Sequence, residues 1–159
     1  MTGLTIYRTP IHEDWIDYNR HLRDAYYGLI VSLATDALMD HIGIDESYRD
    51  RTRNTLFTLE MHIHFLQEVH QSDIVDVSVR ILGSDAKRIH AAFDLRREGH
   101  PEVACTAEIM LLHVHQGEKP AALPFPPEVA TAIAELSRAA PPADGETPGS
   151  RRMELRGRK

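Results

Sequence analysis

The chain has 159 residues, with hydrophobic residues at 42% and charged ones at 26%. That is enough for one domain with a real core and composition typical of globular proteins. A formal net charge of −6 argues against a nucleic-acid partner, which needs a basic surface. A lone cysteine, Cys105, leaves no internal disulfide and fits a reducing compartment. The N-terminus shows no basic start followed by an apolar run, and no apolar stretch reaches the eighteen or so residues of a membrane span. The expectation is a cytoplasmic protein with no membrane partner.

In chain order, Leu4 to Ile11 is a short strand, and Pro10 near its end suits a sheet edge. From Trp15 to Tyr27 polar groups crowd into one loop: Asp17, Asn19, Arg20, His21 and Arg23. The segment Ala25 to Ile44 then predicts a long helix, with Asp24 as N-cap and Gly43 ending it. Its apolar residues cover most of the circumference, which marks a buried helix wrapped by something else. Asp45 to Asn54 is charged and predicts a short exposed helical turn plus loop.

The period then changes to two. Leu59, Met61, Ile63 and Phe65 alternate with Thr58, Glu60, His62 and His64, the signature of a half-buried strand. Gln67 to Asp73 turns the chain. Val75 to Ile81, Lys87 to Arg97 and Glu102 to His115 predict three more strands, joined through Gly83 to Ala86 and through Glu98 to Pro101. Strands joined by short loops are expected to be antiparallel neighbours. Pro127 opens a helix running to about Arg138. The domain is expected to span 1–139, and the Pro-, Gly- and Arg-rich stretch 140–159 to be a disordered tail. This order predicts an α+β fold in which one curved antiparallel sheet wraps one helix. A single curved layer also leaves an edge to cover, so a homodimer or a dimer of dimers is expected.

Polar residues just ahead of a helix lie beside its free N–H groups and positive dipole end, where an anion or a carbonyl oxygen is held. Asp17 is the carboxylate of that loop. It is the candidate general base on water, or a nucleophile forming an anhydride, and one sequence leaves both open. Asn19 and His21 are candidates to orient the water, the Asp17 carboxylate or the carbonyl. Backbone N–H groups of Ala25, Tyr26 and Tyr27 are the candidate oxyanion donors. The plain alternative is that Asp17 and Asn19 serve the turn and His21 packs on the helix.

The run Asp17-Tyr18-Asn19-Arg20-His21-Leu22-Arg23, with Tyr26 after it, resembles the motif of hot-dog acyl-CoA thioesterases related to 4-hydroxybenzoyl-CoA thioesterase. In that branch an Asp is followed by Asn-Gly-His, a hydrophobic residue, Asn and a Tyr. The resemblance covers about Ile6 to His115. The continuation through Ala34-Thr35-Asp36-Ala37-Leu38-Met39-Asp40-His41-Ile42-Gly43 is most similar to the betainyl-CoA thioesterases of carnitine catabolism. It implies a hot-dog fold, an acyl-CoA substrate with coenzyme A as part of it, no further cofactor, and the catalytic role on Asp17. Two positions depart from the pattern: Arg20 stands for Gly, where positive φ would strain it, and Arg23 stands for Asn.

Three further groups are singled out. Trp15, with Tyr26 or Tyr27, is an aromatic face for a trimethylammonium group, or plain core. Glu60 is a second carboxylate, assisting in the cleft or simply solvated, and Arg23 is a candidate substrate contact. Arg80, Lys87 and Arg88 are candidate partners for the CoA phosphates, or a solvated hairpin. The pairs His62/His64 and His113/His115 lack a third ligand, so no metal is expected. The reading is an acyl-CoA thioesterase, betainyl-CoA first. The alternatives are an aromatic or medium-chain acyl-CoA substrate, or a non-catalytic acyl-CoA-binding hot-dog protein.

Overall fold

A computed structural model describes residues 3–141. All but two residues of the expected tail lie outside this range. The elements are β1 (Leu4–Pro10), a 3-10 turn (Glu13–Trp15), α1 (Asp24–His41), α2 (Glu46–Thr52), β2 (Asn54–Phe65), β3 (Ile74–Ser84), β4 (Arg88–Arg97), β5 (Val103–His115), β6 (Ala121–Ala122) and α3 (Pro127–Ala139). The long strands form one antiparallel sheet in the order β1-β3-β4-β5-β2, and β6 pairs with the end of β5.

Alternation builds the core as the sequence predicts. Val75, Val77, Val79 and Ile81 on β3 are buried, as are Ile89, Ala91, Phe93 and Leu95 on β4. They join the buried side of α1, chiefly Ile30, Val31, Ala34 and Leu38, in one cluster, which α3 completes with Val129, Ile133 and Leu136. A sheet closed over an apolar helix in this way is the expected α+β arrangement.

Four expectations are corrected. The N-cap of α1 is Arg23, whose backbone is extended, and Asp24 is the first helical residue. The helix is not buried all round: Ser32, Asp36 and Asp40 are exposed and Leu29 is 39% exposed. The pattern on β2 is broken by a bulge between Thr58 and Glu60, which leaves Leu59 54% exposed. An extra residue on one strand turns the side chains beyond it out of phase.

The fourth correction matters most for the site. β2 and β3 are not neighbours; β2 lies at the far edge on β5. The connection 66–73 therefore crosses past the ends of β5 and β4 instead of turning a hairpin, since β1 and β4 already occupy both sides of β3. It lies instead against the polar loop: Leu22 N–H donates to the Val69 carbonyl at 2.7 Å, and His21 bridges His70. Among the described residues no helix is long and apolar enough to cross a membrane.

Candidate active site

The loop between β1 and α1 is held by its own backbone. Asp17 N–H donates to the His21 carbonyl at 2.9 Å, Arg20 N–H to the Asp17 carbonyl at 3.0 Å, and Arg23 N–H to the Trp15 carbonyl at 2.9 Å. The turn needs a left-handed residue, and Arg20 supplies it at φ +65°. Asp17 organises the inside of the turn. Its Oδ1 accepts from Asn19 N–H at 2.8 Å and from His21 N–H at 3.2 Å. Among the described residues Oδ2 has no hydrogen-bond partner. One oxygen anchors the half-buried carboxylate, and the other is open.

Asp17 lines a cleft of about 540 Å³ between this loop, the first turn of α1 and the crossing segment 65–68. Tyr27 and Phe65 meet edge to face in its wall, with centroids 5.1 Å apart. Carboxylates of Asp24 and Glu68 face it with Asp17, against Arg23 and His21. His21 Nε2 lies 3.3 Å from Glu68 Oε2. Burial pushes the Tyr27 hydroxyl up to about 12, so its ring stays neutral at physiological pH.

A family model described as the thioesterase-like superfamily matches residues 11–133. The chain belongs to this superfamily. One relative is the betainyl-CoA thioesterase of Pseudomonas aeruginosa, 46% identical over 145 residues, covering 89% of this chain and 91% of the relative. The L-carnitine dehydrogenase/betainyl-CoA thioesterase of Agrobacterium fabrum is 38% identical over 70% of this chain, which matches 22% of that longer protein. Among solved structures, a Pseudomonas putida KT2440 protein described as a candidate thioesterase superposes with a TM-score of 0.82 at 40% identity, covering 99% of both chains. A Staphylococcus aureus protein solved in complex with CoA superposes at 0.85 with 27% identity, covering 98% of both. The fold is the hot-dog fold of thioesterases.

Within this thioesterase-like fold the expected residues part company. Asp17, His21, Arg23 and Tyr27 share the cleft, but Asn19 does not. It borders a neighbouring recess with Arg20 and His70, and its role inside the turn is the backbone N–H given to Asp17. Of the expected oxyanion donors, Ala25 N–H is taken by its neighbour Asp24 Oδ1 at 2.8 Å and Tyr26 N–H by the Arg23 carbonyl at 2.9 Å. Asp24 N–H and Tyr27 N–H have no backbone partner among the described residues, and both residues line the cleft.

Trp15 stacks on Tyr26 at 5.7 Å and meets His12 at 4.4 Å, away from the cleft lining. Trp15 packs against the hydrophobic core. Glu60 also lies away from the cleft lining, exposed and bound to His62 Nε2 at 2.7 Å, beside His90 and Glu108. Arg80 is buried and paired with Asp94 at 3.1 Å, which removes it from the CoA candidates. Arg88 donates from Nε and Nη2 to the single oxygen Asp85 Oδ2 at 2.8 and 2.6 Å. Lys87 is exposed on the same hairpin. Arg88 pairs with Leu112 on β5, whereas the cleft residue Phe65 pairs with Cys105. Seven residues of strand, roughly 23 Å, separate hairpin and cleft in one chain. His113 is fully buried between the Tyr48 hydroxyl (2.9 Å) and the carbonyls of Leu123 and Pro124. Facing two carbonyl oxygens, its Nδ1 is the donor to them.

The sequence reading missed Phe65 as a cleft wall and Glu68 altogether. Both lie where β2 runs into the crossing segment. Their only signal was an acidic residue three positions after an apolar strand end, which a hairpin loop would show equally.

Proposed function

We propose that the chain hydrolyses a small acyl-CoA, with betainyl-CoA as leading substrate, through Asp17. The observation carrying this is the Asp17 carboxylate: one oxygen is fixed by two backbone N–H groups, and the other is free at a cleft. The free oxygen takes a proton from water as the water attacks the thioester carbonyl, or attacks the carbonyl itself to form an anhydride that water then opens. The developing oxyanion is received at the start of α1, by Asp24 N–H and the positive dipole end. CoA thiolate is a good leaving group, so the reaction needs neither metal nor further cofactor.

The acyl choice rests on the cleft's character and on the betainyl-CoA thioesterase relative. The neutral rings of Tyr27 and Phe65 offer π faces and edges, and Glu68 adds negative charge. A quaternary ammonium is attracted by both. This moves the cation site from Trp15 to Tyr27 and Phe65.

A homodimer belongs to the same reading. β2 is a sheet edge with Phe57, Leu59, Phe65 and Leu66 all exposed, and Leu29, Leu33 and Ala37 form a stripe along the open side of α1. An unpaired apolar edge is a pairing surface. Pairing there is also the route by which Lys87 and Arg88 of a second copy, or Arg20 and Arg23 nearby, meet the CoA phosphates.

The test is thiol release from betainyl-CoA, a medium-chain acyl-CoA and an aromatic acyl-CoA, with Asp17→Asn alongside. Wild type is expected to favour betainyl-CoA, and the variant to lose roughly 10²–10⁴-fold in kcat. Hydrolysis undiminished in Asp17→Asn would overturn the mechanism. A preference for neutral chains would overturn the substrate, and no turnover of any thioester would favour an acyl-CoA-binding protein.

A further inference from the structure

The histidine pairs that sequence spacing offers as metal ligands are dispersed by the fold: His62 is tied to Glu60 and His113 is locked to Tyr48. A different set is assembled at the lip of the cleft. His21 and His70 face each other across an isolated antiparallel bridge, with ring centroids 5.0 Å apart at 80°. Directly opposed residues project to the same side. Glu68 is two residues before His70 on the crossing segment, and its Oε2 lies 3.3 Å from His21 Nε2 and 3.9 Å from His70 Nε2. All three ligand atoms lie within 4.8 Å of one another.

Ligand atoms about 2.0–2.1 Å from a tetrahedral ion stand about 3.3 Å apart. The His21–Glu68 pair already has that spacing, and the half-exposed His70 Nε2 stands a little farther off, 3.9 Å from Glu68 Oε2. The far side of His70 is also prepared. Asp73 Oδ2 accepts from His70 N–H at 2.8 Å and stands 3.7 Å from Nδ1. A carboxylate behind a histidine turns its other nitrogen towards a metal and raises its basicity. Imidazole nitrogens and one carboxylate are a donor set for zinc-class ions.

We propose that His21, Glu68 and His70 form a site for one divalent transition ion, Zn²⁺ by donor set, with a fourth position open to water. The ion fastens the crossing segment to the loop that carries Asp17. It also takes up Glu68 and sets two positive charges beside the acidic cleft, so it weakens binding of a cationic acyl group. That second effect rests on the thioesterase reading, whereas the site itself does not.

The decisive experiment titrates Co²⁺ into chelator-treated full-length protein. It follows the visible absorption of the bound ion, and Zn²⁺ displaces it. One ion per chain is expected. His70→Ala should weaken affinity by more than the ~10–100-fold that loss of an outer-shell partner typically costs, while His62→Ala leaves it unchanged. Circular dichroism checks that both variants fold. No saturable binding, or equal binding by His70→Ala, overturns the site. In the thiol-release assay, Zn²⁺ should raise KM for betainyl-CoA in wild type but not in His70→Ala, and an unchanged KM overturns the inhibitory role. Cobalt binding without turnover of any thioester would sink the enzyme reading and leave the metal site standing.

Discussion

Arg20 holds φ at +65° in an exposed turn, a conformation that costs a residue with a Cβ roughly 1–2 kcal/mol. The family pattern has Gly there, and here Asp17 ties the turn from inside with Arg20 in its place. The strain is therefore stored in the loop that carries Asp17. Arg20→Gly should stabilise the protein by about 1 kcal/mol, less some of glycine's larger unfolded-state entropy. A rise in the urea midpoint with an unchanged m-value checks it, and a fall would show that the Arg20 side chain contributes more than its backbone costs. At this scale the sequence was a good guide wherever a residue's role is local. Asp17 and His21 fall at the cleft because both are set by turn bonds over two to four residues. Arg80 was misplaced because its partner comes from another strand, Asp94 on β4, which spacing along β3 does not reveal.

Elements were legible wherever a period persists. β3, β4, β5 and α3 have nearly their expected bounds, since alternation and Pro127 act within each segment. What no period carries is the order of strands. The connection 66–73 reads as a polar turn, yet it crosses the sheet because β3 has a partner on either side before β2 arrives. The bulge at Leu59 was equally hidden, for it depends on register against β5. Leu59 is consequently left on the edge of β2 with no burial to gain in one chain. Leu59→Lys places a charge on that edge, a common means of blocking strand pairing. Light scattering should show wild type as a dimer and the variant shifted to monomer with its secondary structure retained; a dimer that tolerates the lysine would move the interface elsewhere.

Across the whole molecule, the buried neutral acids set an alkaline limit. Burial raises the Cys105 thiol from 9.0 to about 12, with Asp94 adding to the shift, and raises the Tyr27 hydroxyl from 10.0 to about 12. Both groups keep their protons in the folded state while the unfolded chain loses them. Above pH 9 the unfolded state binds fewer protons, so stability falls as pH rises towards about 12. It is fully present below pH 9. Thermal melts across this window should show a falling midpoint, shallower in Cys105→Ala once its own loss of packing at neutral pH is subtracted. The same burial keeps the Cys105 thiol protonated, so alkylating reagents should label it only after unfolding.

Phe65 and Leu66 stand in two places at once: they wall the cleft, and they end the exposed edge of β2. In the proposed dimer, a second chain on that edge would also finish the wall of the proposed acyl cleft. Association and substrate affinity would then share one free energy, and by linkage each would strengthen the other by the same factor. Substrate would draw chains together, and dilution would loosen substrate. A KM measured at nanomolar enzyme would thus describe a different equilibrium from one measured at cellular abundance.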